Sequence, residues 1–131
     1  MRTLGQAEAA GVQYHLEPAI YVYDVALLAS QQLLSQPRGI DGDSDFEWLA
    51  LAGTSTGTFD VNVQLASGRR IANAWVNSVN IVGTAQFPVA LPVAALFPRS
   101  GAINIDIRDT SGAPNTVQLI FIGRKLFPVR S

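Results

Sequence analysis

Residues 100–127 read SGAINIDIRDTSGAPNTVQLIFIGRKLF, and they resolve into two strands joined by one turn. Ile103, Ile105 and Ile107 alternate with Asn104, Asp106 and Arg108, the period-two pattern of a strand with one wet and one buried face. Between Thr110 and Asn115 the chain is dense in turn formers: Gly112 can take positive φ, and Pro114 lacks the donor that a central ladder needs. The chain is expected to reverse there. Beyond it, Thr116 to Ile122 is apolar on both faces, as suits a strand near the middle of a sandwich with a second layer or a neighbouring subunit over it.

Working outward, 131 residues suit one domain with a core of its own. Cysteine is absent, which removes disulfides, thiol nucleophiles and thiolate metal sites. A net charge of −1 gives no clustered positive charge for phosphates, so direct nucleic-acid binding is not expected. The apolar set reaches 48% while charged residues are only 15%, against about 25% in typical domains. Such a surface suits a large-cored β-sandwich or a protein covered by protein. Eight of the nine basic residues are Arg, which leans toward interfaces, where Arg is favoured and Lys depleted.

Residues 1–18 lack the apolar run of a secretory signal, and no later stretch approaches a membrane span of ~20 residues. A soluble protein with no membrane partner is expected, its residues 1–18 forming an arm and residues 19–131 the sandwich domain. Residues 20–28, IYVYDVALL, have strand composition. Gln31 to Leu34 extend that strand after a bend, and Pro37-Arg38-Gly39 break it. Asp41, Asp43 and Asp45 then alternate in a loop, a pattern of hard oxygen ligands that suits Ca2+. Phe46 stands where the helix-loop-helix calcium loop has Gly, and Ala52 where it has Glu. The simpler reading is a solvated turn, with no metal.

Phe46 to Ala52 reads as a strand with Phe46 and Trp48 on one face and Leu49 and Leu51 on the other. Gly53 to Gly57 is a polar turn without the Lys-Ser/Thr ending of a phosphate loop. Phe59, Val61, Val63 and Leu65 alternate cleanly with Asp60, Asn62 and Gln64. Ala66 to Arg69 is the next turn, Arg70 to Trp75 continues less regularly, and Val79 to Val82 suggests a short strand. Residues 87–98, FPVALPVAALFP, are apolar, and their three prolines forbid a central strand. That segment must lie over the open end of its own sandwich or over a partner. Many short strands with little helical periodicity indicate an all-β antiparallel sandwich or barrel.

The succession IDGDSDFEWLALAG, STGTFDVNVQLASGRRIANAWVNS and GTAQFPVALPVAALFPRSGAINIDIRDTSGAPNTVQLIFIGRKLF resembles the capsid cement or decoration proteins of tailed bacteriophages. The resemblance covers residues 41–127. It implies a jelly-roll-like sandwich on the virion exterior, a major capsid protein as partner, self-association as dimer or trimer, and no enzymatic activity or cofactor. Candidate contacts are Phe87, Pro88, Leu91, Pro92, Leu96 and Phe97, the arm, and a basic cluster of Arg124, Lys125 and Arg130 facing an acidic capsomer surface.

The competing class is a carbohydrate- or receptor-binding module on a virion appendage. Trp75 with Asn73 and Asn77, or Tyr21 and Tyr23 with Asp24, are its candidates, although alternating tyrosines in a strand are more often packing residues. An enzyme is the weakest reading. His15 is the one histidine, too few for a cupin-like metal site and near a terminus for a triad. Asp41, Asp43, Asp45 and Glu47 offer carboxylates without a sequence-level sign of an acid/base pair.

Overall fold

The computed structural model describes residues 13–84 and 86–128. Eight strands run in the order β1 (Tyr14–Leu27), β2 (Gln32–Gly39), β3 (Asp45–Ser55), β4 (Phe59–Gln64), β5 (Val76–Asn77), β6 (Val89–Phe97), β7 (Ala102–Asp109) and β8 (Asn115–Pro128). They form two four-stranded sheets, β1-β8-β3-β6 and β2-β7-β4-β5, called A and B below. The chain passes from one layer to the other at β1–β2, β2–β3, β3–β4, β5–β6, β6–β7 and β7–β8, the order of an eight-stranded jelly roll. The all-β sandwich expected from the sequence is what forms.

The alternation in β7 decides how the layers meet. Ile103, Ile105 and Ile107 are fully buried and face the inner residues Val117, Leu119 and Phe121 of β8. From β3, Trp48 stacks edge-on against Phe121 at 5.2 Å and donates its indole N–H to the Ala50 carbonyl at 2.7 Å, so its one polar atom is satisfied. Gly123 lies opposite Trp48, and a Cβ there would collide with the Glu47 carbonyl oxygen. Only glycine lets β3 and β8 approach this closely.

Several elements differ from the sequence reading. The register between β3 and its neighbours shifts between Trp48 and Ala50. This bulge turns Leu51 to the core side with Trp48, although strict alternation places it opposite. β3 also runs on through Gly53 to Ser55, beyond the turn expected there. Residues 14–18 are not an arm but the start of β1, with Pro18 opposite Arg124; an edge strand tolerates the missing donor. Met1 to Val12 lie outside the described residues. β2 is a separate strand of sheet B that keeps Pro37, with a bulge between Leu33 and Gln36. The short strand expected at Val79 to Val82 is instead one helical turn, α1 (Ser78–Ile81), whose first turn is capped by the Asn77 side chain accepting from the Val79 N–H at 3.2 Å.

One carboxylate organises a whole end of the sandwich. Asp109 accepts from the Ser30 N–H at 2.8 Å, the Gly112 N–H at 3.0 Å, the Ser111 N–H and hydroxyl at 3.1 and 2.6 Å, and the Asn115 amide at 3.1 Å. The Ser111 hydroxyl, followed by the backbone donors, holds the Asp109 carboxyl far below the usual carboxylate range. Asn115 in turn donates to the Thr58 carbonyl at 3.0 Å and accepts from the Gly57 N–H at 3.1 Å. The β1–β2, β3–β4 and β7–β8 connections are thereby tied together.

Two outcomes are expected. Gly123→Ala must force β3 and β8 apart and lower unfolding stability by at least about 1–3 kcal/mol, read from the urea midpoint. Because the folded Asp109 carboxyl is depressed, its stabilisation is full above the unfolded value of about 3.9 and drains away as pH falls below it. Asp109→Asn should therefore be less stable at pH 7 and lose less additional stability between pH 5 and pH 2 than the parent. A parallel loss in both proteins on acidification would contradict the clamp.

Candidate functional site

The segment 87–98, proposed from sequence as a contact surface, contains edge strand β6, with Phe87 and Pro88 just before it. Its pairing with β3 jumps from Ala90 opposite Ala50 to Ala95 opposite Trp48, so Leu91 to Ala94 bow away from the sheet around Pro92. Phe87 and Val93 are 74% and 73% exposed, and Pro88 and Pro92 are exposed beside them. Leu91 and Leu96 are half-buried, Leu91 packing against the core. Phe97 is fully buried, 6.4 Å from Trp48. It is a core residue and unavailable to a partner, because the period-two register after the bow turns it inward. Beneath the bow lies an apolar groove of about 440 Å3, lined by Leu65, Ile71, Ile81, Val89, Leu91 and Val93.

A second apolar surface was missed as a site, although its signal was present. β8 is apolar on both faces, and its outward residues Ile120 and Ile122 lie opposite Val22 and Ile20 of β1. Ile20 is 56% exposed, and Leu16 and Val22 are exposed beside it. The outward set of β1, at even positions, is legible in the sequence once β8 is known to be its neighbour.

The expected basic cluster does not come together. Arg124 lies on the outer face of sheet A and donates through Nε to Glu47 at 2.6 Å, Glu47 being buried. Lys125, next in the strand, points the other way; its Nζ donates to Asp41 at 3.1 Å and to both oxygens of Asp43 at 3.2 and 3.1 Å. Arg130 lies outside the described residues. Both described cations are thus neutralised within the chain.

The same contacts explain the aspartate loop. Lys125 supplies the positive charge between Asp41 and Asp43, and the hydrogen bond from Lys125 is the main cause holding the Asp43 carboxyl below its ordinary value. Asp45 accepts from the Arg99 N–H at 3.0 Å instead, pinning the turn before β7. Among the described residues, no group of three or more acidic or histidine side chains is placed to hold a metal ion. His15 is exposed on β1 and pairs with Glu17 at 3.3 Å. Tyr21 is buried against Phe46, ring centroids 4.8 Å apart, and Tyr23 is half-buried with its phenol pushed up by desolvation; both are packing residues. Trp75 is half-buried on the outer face of sheet B, with the Arg108 guanidinium 4.6 Å over its ring.

No family model matches the chain, and no curated protein matches it. Among solved structures it is similar to a Bacillus endospore appendage protein, of a family of disulfide-linked pili, at 15% identity and a TM-score of 0.41, covering 88% of this chain and 91% of that one. It is similar also to the infectious bursal disease virus VP2 subviral particle, at 14% identity and a TM-score of 0.30, covering 86% of this chain and 42% of that one. This sequence holds no cysteine, so it has no residue for a disulfide linkage.

Lys125→Met keeps the stem and removes the charge. The Asp43 carboxyl should then titrate at higher pH than in the parent, as followed by carboxyl carbon chemical shifts. An unchanged midpoint would mean that Lys125 does not set it.

Proposed function

We propose that this protein is a non-enzymatic structural component of a tailed-phage virion that docks on the capsid exterior and ties adjacent capsomers together. The observation that carries the reading is the pair of exposed apolar surfaces at the two edges of one rigid sheet. The bow of β6, with Phe87 and Val93, stands at one edge, and Leu16, Ile20 and Val22 of β1 stand at the other. A bridging protein needs two separated contact areas on a body that does not flex, and a single binding patch does not require this arrangement. The sequence resemblance to cement and decoration proteins supports the same role.

In this reading the β6 bow meets the major capsid protein, and the β1 surface meets a second copy of the chain or the next capsomer. Side chains exposed to this degree bring little to folding, so their apolar character is explained by what they contact. Each contact can be weak. Repetition across a lattice converts modest affinities into stable attachment, since each bound copy raises the effective concentration of the next contact.

The test is cosedimentation with particles that lack the protein, followed by measurement of their heat resistance. The parent should bind saturably and raise that resistance. Phe87→Ser with Val93→Ser should leave folding stability within about 0.5 kcal/mol and abolish or sharply reduce particle binding. Undiminished binding by a folded double variant would remove the β6 bow from the interface, and failure of the parent to bind would end the capsid reading.

A further inference from the structure

The outer face of sheet B carries a groove that the proposed cementing role leaves unused. Its floor is Asn62 of β4 and Asp106 of β7, both buried. Residues 72–75 form one wall and Gln32 with Leu34 of β2 the other, around an open groove of about 330 Å3. That volume lies at the small end of the range for organic ligands.

Each feature narrows the ligand. Asn62 is a strut: its amide donates to the Ala72 and Ala74 carbonyls at 3.0 and 3.3 Å, and its oxygen accepts from the Ala72 N–H at 3.3 Å. The wall that presents Asn73 and Trp75 is therefore fixed to the sheet. Asp106 is paired with Arg70 at 2.6 Å and Asp60 with Arg108 at 2.8 Å, so charges in and beside the groove cancel pairwise. Neither an anion nor a cation gains by entering. In contrast, the side-chain amides of Gln32 and Asn73 make no hydrogen bond to any described residue. They stand on opposite walls, both exposed and without a partner among the described residues. Trp75, half-buried, lines the groove with the Arg108 guanidinium 4.6 Å over its ring, and Leu34, 52% exposed, completes the rim.

An aromatic plane, two uncommitted amides and a charge-balanced floor match a ligand with apolar C–H faces, many hydroxyls and no net charge. The geometry points to a binding site for a neutral saccharide, one or two pyranose rings stacked on Trp75 and hydrogen-bonded by Asn73 and Gln32. Its chemistry is independent of the β6 and β1 surfaces.

Trp75 is one of two tryptophans, and the other, Trp48, is fully buried, so a change in emission on titration reports this groove. The probes are maltotriose, cellotriose, chitotriose and galactotriose, with sialyllactose and trigalacturonate as anionic controls. At least one neutral trisaccharide should shift the emission saturably, and the anionic sugars should bind more weakly. Asn73→Ala and Gln32→Ala, which remove no side-chain hydrogen bond among the described residues, should each weaken that binding roughly tenfold. Trp75→Phe should retain the fold and bind more weakly, as measured by calorimetry. Attachment to capsid particles should be unaffected in all three variants. Silence of every neutral sugar, preference for the anionic ones, or binding unchanged in the Asn73 and Gln32 variants would each overturn the assignment.

Discussion

The jelly roll depends on a chain that changes layer again and again, and at one end three of those changes are held by the Asp109 carboxylate. Its two oxygens collect five donors from the β1–β2 and β7–β8 connections and from Asn115. Without that acceptor, the backbone N–H groups of Ser30, Ser111 and Gly112 lose a charge-assisted bond and the three connections lose their common anchor. Ser30, at φ 56°, is held in the left-handed region by the same bond. The strands supply the buried apolar area, while the carboxylate fixes which strand follows which, and so which side chains meet in the core.

The two outer faces spend their side chains differently. Sheet B turns outward Asp60, Asn62, Asp106 and Arg108, and covers them with residues 70–77, so that buried carboxylates are matched by Arg70 and Arg108. Sheet A turns outward Ile20, Val22, Ile120 and Ile122, with Glu47–Arg124 as its paired charges. This asymmetry gives a second meaning to the arginine bias. Arg70, Arg99, Arg108 and Arg124 all serve carboxylates within the chain, where a planar guanidinium survives partial burial better than an ammonium. Much of the small charged complement is committed internally, which leaves the outside of sheet A apolar.

What the sequence made legible follows from periodicity. The isoleucines of β7, the alternation of β4 and the two-sided apolarity of β8 each placed a strand and its face correctly, because burial imposes period two on the side chains. Of Trp75, Asn73 and Asn77, singled out by residue type, Trp75 and Asn73 line one groove, while Asn77 caps α1 and donates to Asp60. The failures are of register and of long-range pairing. The bulge between Trp48 and Ala50 shifts Leu51 by one position, which reverses its face. Phe97, read with its apolar neighbours as a contact, is returned to the core by the same kind of local count. Lys125 adjoins Arg124 in sequence, yet consecutive strand residues face opposite ways, and its partners in the aspartate loop are more than 80 positions distant in sequence. Such pairings depend on the assembled topology.

The edges of the sandwich limit how it can associate at all. An open strand edge invites pairing with another chain through unpaired backbone groups. Here β1 carries Pro18, β2 carries Pro37 and a bulge, β6 carries Pro92 within its bow, and β5 is two residues long. Each proline removes a backbone donor and each irregularity breaks the flat ladder that a neighbour needs. Edge-to-edge pairing is thereby disfavoured at all four edges that the described strands leave open. What remains for association is side-chain contact, and sheet A presents exposed apolar side chains at both its edges, Phe87 and Val93 at β6 and Leu16, Ile20 and Val22 on β1. The cementing role proposed above needs this division, with backbone edges blunted and side-chain surfaces left uncovered.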